Sequence, residues 1–139
     1  MKKNKRFSGI LVKCNDKVLL CKRSDDNTLP GVWSIPGGGI EDGESPEQAA
    51  RREFYEETNH KVSGDLNLIG FIDRFNKDGS FLKGFMYVYS LEVNEEIYPD
   101  LEGAKDGGEH TECGYFGVDD LPIKEKNGEF YKIVLNNLK

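Results

Sequence analysis

Glu53, Glu56 and Glu57 stand in the run RREFYEE. On a helix of about 3.6 residues per turn, offsets of three and four bring their carboxylates to one side. Like charges at that spacing repel by a few tenths of a kcal/mol per pair. A helix that needed only stability would set lysines opposite those acids. A hard divalent cation, Mg²⁺ or Mn²⁺, turns the repulsion into a site, because such ions take carboxylate oxygens. The competing reading is a solvated acidic face, where most charge runs belong.

The residues before and after the acids define the helix that carries them. Gly37-Gly38-Gly39 follows Pro36 as a turn, and Glu44 projects from the loop beyond it. Ser45 has the form of an N-cap, Pro46 of the first helical residue, and Gln48 completes a capping box. Asn59 tolerates left-handed geometry and ends the helix. These signals predict one helix of about fourteen residues with the acids in its last two turns.

With these residues in place, the stretch resembles the Nudix hydrolases, whose box reads G-x(5)-E-x(7)-R-E-U-x-E-E-x-G-U, with U bulky and apolar. Gly38, Glu44, Arg52, Glu53, Phe54, Glu56 and Glu57 fall on it at the correct spacing. Asn59 replaces the second glycine and His60 the last apolar residue, with Val62 expected to take over the packing that His60 cannot supply. The resemblance implies that Glu53, Glu56 and Glu57, with Gly38, hold Mg²⁺ or Mn²⁺. It implies that Arg52 orients an acid through a charge-assisted hydrogen bond. The chemistry implied is in-line attack of water on a diphosphate, in a nucleoside diphosphate linked to another group.

The flanks extend the likeness over nearly the whole chain. Val18 to Arg23 resembles the family's strand ending in a Lys-Arg pair, and Leu29 to Gly38 its G-x-W-x-x-P-G-G lead. Arg23 is a candidate phosphate contact, against the bland reading of a solvated strand end. Trp33 either lines a nucleotide pocket or braces the glycine turn. Gly108 to Phe116 resembles the E-H-x-E-x-x-W-F segment, with Tyr115 where tryptophan is usual. There Glu109, then Glu112, is the candidate general base or extra metal ligand, and His110 a candidate substrate contact. Glu44 joins Arg23, Trp33 and His110 as a candidate near the substrate.

The chain has 139 residues and a formal charge of −6. Such a length suits a single domain, residues 1–139, with a core that needs no staples. The acidity argues against a nucleic-acid-binding surface, which would show a basic stripe. MKKNKR leads into a short apolar segment, Phe7 to Val12, too short for a membrane span or a signal peptide. Cys14, Cys21 and Cys113 form no metal-type pair and leave an odd count, which reads as free thiols in a reducing, cytoplasmic compartment. Oligomeric state, monomer or homodimer, stays open.

The remaining elements form a scaffold. Phe7–Val12 and Val18–Arg23 flank the turn signal Asn15-Asp16, and Leu66–Phe75 and Phe81–Val93 flank Lys77-Asp78-Gly79, predicting two hairpins. Phe81, Phe85, Tyr87, Tyr89, Leu91 and Val93 alternate, so one side of that strand should face a core. Cys113–Val118 is a further strand. Phe130, Ile133, Val134 and Leu138 recur at helical spacing, predicting a helix that packs on the sheet. Residues 94–110, rich in acids and glycines, read as a mobile loop. Strands interleaved with two helices predict an α/β chain, and the resemblance implies an α/β/α sandwich around a mixed β-sheet.

Substrate is weighed by elimination within the family. The proline- and tryptophan-rich motif of NADH-cleaving members is absent, and Arg74 stands where ADP-ribose hydrolases carry proline. Phe75 replaces the tyrosine of diadenosine polyphosphate hydrolases, and the box glutamate missing from mannosyl hydrolases is kept. What remains is a nucleoside triphosphate, in oxidised or deoxy form among the options, cleaved to monophosphate and pyrophosphate. Nucleotide sugars and RNA 5′ ends stay open, as does a non-catalytic nucleotide sensor.

Overall fold

Asn15 takes a left-handed φ of 56°, and the turn it makes sends β1 (Lys5–Cys14) back as β2 (Lys17–Arg23). The computed structural model describes residues 5–24, 31–75, 82–105, 110–126 and 128–139. The Lys77-Asp78-Gly79 turn, Leu29-Pro30 and Glu109 lie outside these residues. The predicted first hairpin pairs only at its tip, Lys13 with Val18 and Cys14 with Lys17. Beyond the tip the two strands part. β1 takes β4 (Gly37–Gly39) as a new antiparallel neighbour, while β2 pairs β3 (Trp33–Ser34) and β7 (His110–Phe116). On its other side β1 runs parallel to β6 (Leu82–Val93), which forms the second predicted hairpin with β5 (Asn67–Phe75). The result is one seven-stranded mixed sheet.

One helix covers each face. Ala50 and Phe54 of α1 (Pro46–Thr58) are fully buried against Ile10, Val12, Leu19, Tyr89 and Leu91. Val134 of α2 (Glu129–Leu138) is buried on the opposite face with Leu11, Leu20, Met86 and Val88. A Cβ at Gly70 would meet Ile133 at 2.8 Å, so that glycine lets α2 approach β5. These layers make the expected α/β/α sandwich. Val62 packs beside the α1 core, as His60 could not. Burial of this kind yields about 25 cal/mol per Å² of apolar surface.

Four details depart from the sequence reading. The alternating strand is not core along its whole length: Tyr89 and Leu91 are buried, whereas Phe85 and Tyr87 are half-exposed and stack with the exposed Phe71. Residues 94–105 have partners that their composition did not signal: the Asp100 amide donates to the Thr58 carbonyl, Asn59 Nδ2 to the Asp100 carboxylate, and the Ile97 amide to the Tyr115 hydroxyl. Strand β7 begins at His110, three residues earlier than expected. Cys21 and Cys113 are joined in a disulfide, leaving Cys14 as the free, buried thiol. The bond follows from register, since the two stand directly opposite each other on β2 and β7 with Cα atoms 4.0 Å apart. It removes the free-thiol argument for a reducing compartment. Among the described residues no helix is long and apolar enough to cross a membrane.

Candidate active site

The helix that carries the acids is fixed at both ends by its own sequence. The Ser45 side chain accepts from the Gln48 amide (3.1 Å), and the Gln48 side chain accepts from the Ser45 amide (2.8 Å). Pro46 fills the first turn. Asn59 adopts φ 60°, ψ 26° and donates its amide to the Tyr55 carbonyl. Replacing such an N-cap by alanine costs about 1 kcal/mol.

Helical periodicity then sorts the acids. Glu57 continues the stripe of Ala50 and Phe54, so it is buried at 1% exposure. Glu53 and Glu56 lie one step round the helix, partly exposed, with Arg52 between them. Arg52 Nε and Nη2 donate to the two Glu44 oxygens at 2.7 and 2.9 Å. Its Nη1 reaches Glu53 (2.9 Å) and Glu56 (3.0 Å), and Nη2 also donates to the Gly39 carbonyl. One planar fork therefore holds three carboxylates and the glycine turn. Glu44 is held below its ordinary carboxylate pKa, first by its bond to Arg52. The guanidinium in turn is held protonated more firmly than usual, again first by Glu44.

The glycine turn reaches the acids from the sheet. β4 brings Gly38 opposite Ser8, and a Cβ on Gly38 would overlap the Glu53 carboxylate. A larger residue there would have to displace that carboxylate.

Glu57 faces the other strand pair. Its Oε1 lies 3.5 Å from His110 Nδ1, and His110 is itself 4% exposed. Burial, and then the positive charge of Arg23, lower the His110 pKa to about 4. The ring is therefore neutral near pH 7. Arg23, 7% exposed at the end of β2, stands opposite His110 across a register shift at Lys22/Arg23. The structure thus brings together Gly38, Glu44, Arg52, Glu53 and Glu56 as one group, and Glu57, His110 and Arg23 as another.

Glu112 is not drawn in. It is exposed on β7 and faces Lys22 at 3.9 Å. Trp33 is half-buried and meets Phe116 edge-on at 5.1 Å. It also lines, with Arg23, Val32, Ile72 and Phe130, a cavity of about 460 Å³ that Asp73, Arg74, Glu125 and Glu129 border. Trp33 thus packs on Phe116 and also borders this cavity. The sequence did not mark Ile72, Glu129 or Phe130 as pocket residues, because only the docking of α2 against β5 brings them to Trp33.

The donor set suits a hard cation: carboxylate oxygens beside a glycine turn whose Gly38 leaves space for the Glu53 carboxylate. The described side chains are not gathered into a ready cage, for no three His, Cys, Asp or Glu among them converge to hold a metal. The Arg52 cation takes up the charge of Glu44, Glu53 and Glu56 instead.

Comparison with known proteins agrees with this geometry. A family model described as NUDIX domain matches residues 2–136. A nucleoside triphosphatase, NudI of Escherichia coli K12, is 45% identical over 53 residues, and the match spans 37% of this chain and 38% of that protein. The chain thus matches well under half the length of its curated relatives. In fold it is similar to a MutT NUDIX hydrolase from Burkholderia pseudomallei, with a TM-score of 0.76 at 22% identity, covering 99% of this chain and 100% of that one. It is also similar to the NUDIX domain of Shewanella oneidensis NrtR, solved with ADP ribose, with a TM-score of 0.68 at 18% identity over 96% of this chain and 86% of that one.

Proposed function

Since the chain belongs to the Nudix family of hydrolases, we propose that it adds water across the diphosphate of a nucleoside triphosphate, releasing the monophosphate and pyrophosphate. The observation that carries this reading is the Arg52 fork, which holds Glu44, Glu53 and Glu56 against Gly38 beside the buried Glu57. Glu53, Glu56, Glu57 and the Gly38 carbonyl would hold Mg²⁺ or Mn²⁺. A divalent cation there supplies Lewis-acid neutralisation of phosphate oxygens and a more acidic water.

The other roles belong to the chain's own groups. Arg52 keeps two of the acids oriented while its own charge stays fixed. Neutral His110 braces the Glu57 carboxylate without neutralising it. Arg23, at the border of the 460 Å³ cavity, meets a phosphate, and Trp33 with Phe130 encloses the nucleoside. Asp73, Glu125 and Glu129 accept hydrogen bonds from base or ribose donors. The likeness to a nucleoside triphosphatase supports a triphosphate over a nucleotide sugar. Glu109, outside the described residues, remains the proposed base; Glu112, turned to Lys22, is the weaker candidate. A cytoplasmic location and a small-molecule nucleotide as partner complete the proposal.

The test is a Mg²⁺-dependent product analysis over nucleoside triphosphates, including oxidised and deoxy forms, nucleotide sugars, dinucleotides and 5′-triphosphorylated RNA. Pyrophosphate released from one triphosphate in preference to the other compounds is the expected result. Tight binding with no turnover of any compound would make the chain a sensor.

A further inference from the structure

We propose that Cys21 and Cys113 form a reversible thiol–disulfide switch that sets the position of His110 against Arg23 and Glu57. Among the described residues, β7 is hydrogen-bonded in the sheet to β2 alone. The register places Cys21 opposite Cys113 and Lys22 opposite Glu112, then slips so that Arg23 meets His110. The bond therefore sits within two pairs of the irregularity that aims both site residues. It ties together strands 92 residues apart in sequence.

Breaking the bond has a mechanical consequence at that point. Bonded sulfur atoms lie roughly 2 Å apart, whereas two thiols need roughly 3.5–4 Å of van der Waals separation. Cys21 is fully buried among Ile10, Leu19 and Phe54, so β2 cannot give way. The strand that moves is β7, an edge held on one side. Its distal pairs, Val18 with Phe116 to Leu20 with Gly114, remain to anchor it. Reduction thus splays the His110 end of β7 and leaves the rest of the sheet paired.

The exchange needs a dithiol as reductant. Its thiolate attacks the sulfur of Cys113, the less buried partner, and Cys21 leaves as a thiolate that takes a proton. The second thiol of the reductant displaces Cys113 and the reductant departs as a cyclic disulfide. Two electrons and two protons pass to the protein. A small-molecule disulfide runs the reaction backwards.

The experiment reads His110 directly and needs no turnover, so its outcome is independent of the proposed hydrolysis. The chain has two histidines, and a His60→Gln background leaves His110 as the only imidazole. Its rate of carbethoxylation by diethyl pyrocarbonate is followed in oxidised protein, in protein reduced with dithiothreitol, and in Cys21→Ser/Cys113→Ser protein, with circular dichroism recorded on each. Alkylation after denaturation counts free thiols. The switch predicts one free thiol when oxidised and three when reduced, with unchanged circular dichroism. It also predicts a rise of about tenfold or more in the His110 rate on reduction, reversed by reoxidation, and a fast rate in the double variant whatever the redox state. Three free thiols after mild oxidation would overturn it. So would equal His110 rates in the two redox states, or loss of fold on reduction, which would make the bond a staple.

Discussion

Replacing Arg52 by glutamine removes a cation that Glu44, Glu53 and Glu56 share. The side chain keeps its length to the amide and loses its charge and its fork. Two bonds to Glu44, one to Glu53 and two to Glu56 disappear, along with the bond to the Gly39 carbonyl. Hydrogen bonds to charged groups contribute about 1.5–3 kcal/mol each in protected settings. Arg52 and its partners are 14–25% exposed, so solvent screens part of that, and the bonds share one charge. The net loss for metal-free protein is roughly 2–4 kcal/mol, since the acids are then left facing one another. For a domain of this size 1 kcal/mol shifts the melting temperature by about 3 °C, giving a fall of roughly 6–12 °C. Millimolar Mg²⁺ should recover much of the fall, because a divalent cation neutralises the same oxygens. Differential scanning fluorimetry with chelator and with Mg²⁺, on wild type and Arg52→Gln, measures both terms. An equal fall in the two conditions, or none in chelator, would refute the idea that one charge site serves arginine and metal in common.

Three further outcomes follow from named contacts. Gly38→Ala forces a methyl group into the Glu53 carboxylate, so kcat should fall by about 10²-fold with a stability loss of roughly 1–3 kcal/mol; steady-state kinetics with a urea titration separates the two. Ser45→Ala removes the acceptor of the Gln48 amide and should cost about 1 kcal/mol in urea denaturation, leaving kcat near wild type. Burial pushes the Tyr115 hydroxyl up to about 12, although its bond with Ile97 opposes this. The fold therefore keeps a proton that the unfolded chain loses near pH 10, so stability is full below pH 10 and drains away as pH rises toward 12. Tyr115→Phe should be less stable at neutral pH yet lose less between pH 10 and 12 in urea titrations at stepped pH.

The sequence was legible where structure is local. Ser45, Pro46, Gln48 and Asn59 fixed the helix because caps act over three or four residues. The offsets within RREFYEE placed the acids, and reading Ala50 and Phe54 as a buried stripe would have placed Glu57 inside as well. What long-range pairing decides was not legible. The parting of β1 from β2, the short strands at Trp33 and Gly37, and the Cys21–Cys113 bond all depend on register between distant segments. No local pattern records that register. Residues 94–105 carried a loop composition but make bonds to the exit of α1 and to Tyr115. Composition reported the absence of a core there and could not report those partners.

The central claim is that Glu57, buried on the core stripe of its helix, serves a hydrolytic site. The most direct measurement is Mg²⁺-dependent pyrophosphate release from the preferred nucleoside triphosphate by wild type and by Glu57→Gln, each checked for fold by circular dichroism. The account predicts a folded variant whose kcat falls by at least about a hundredfold. A folded variant that turns over at the wild-type rate would contradict it.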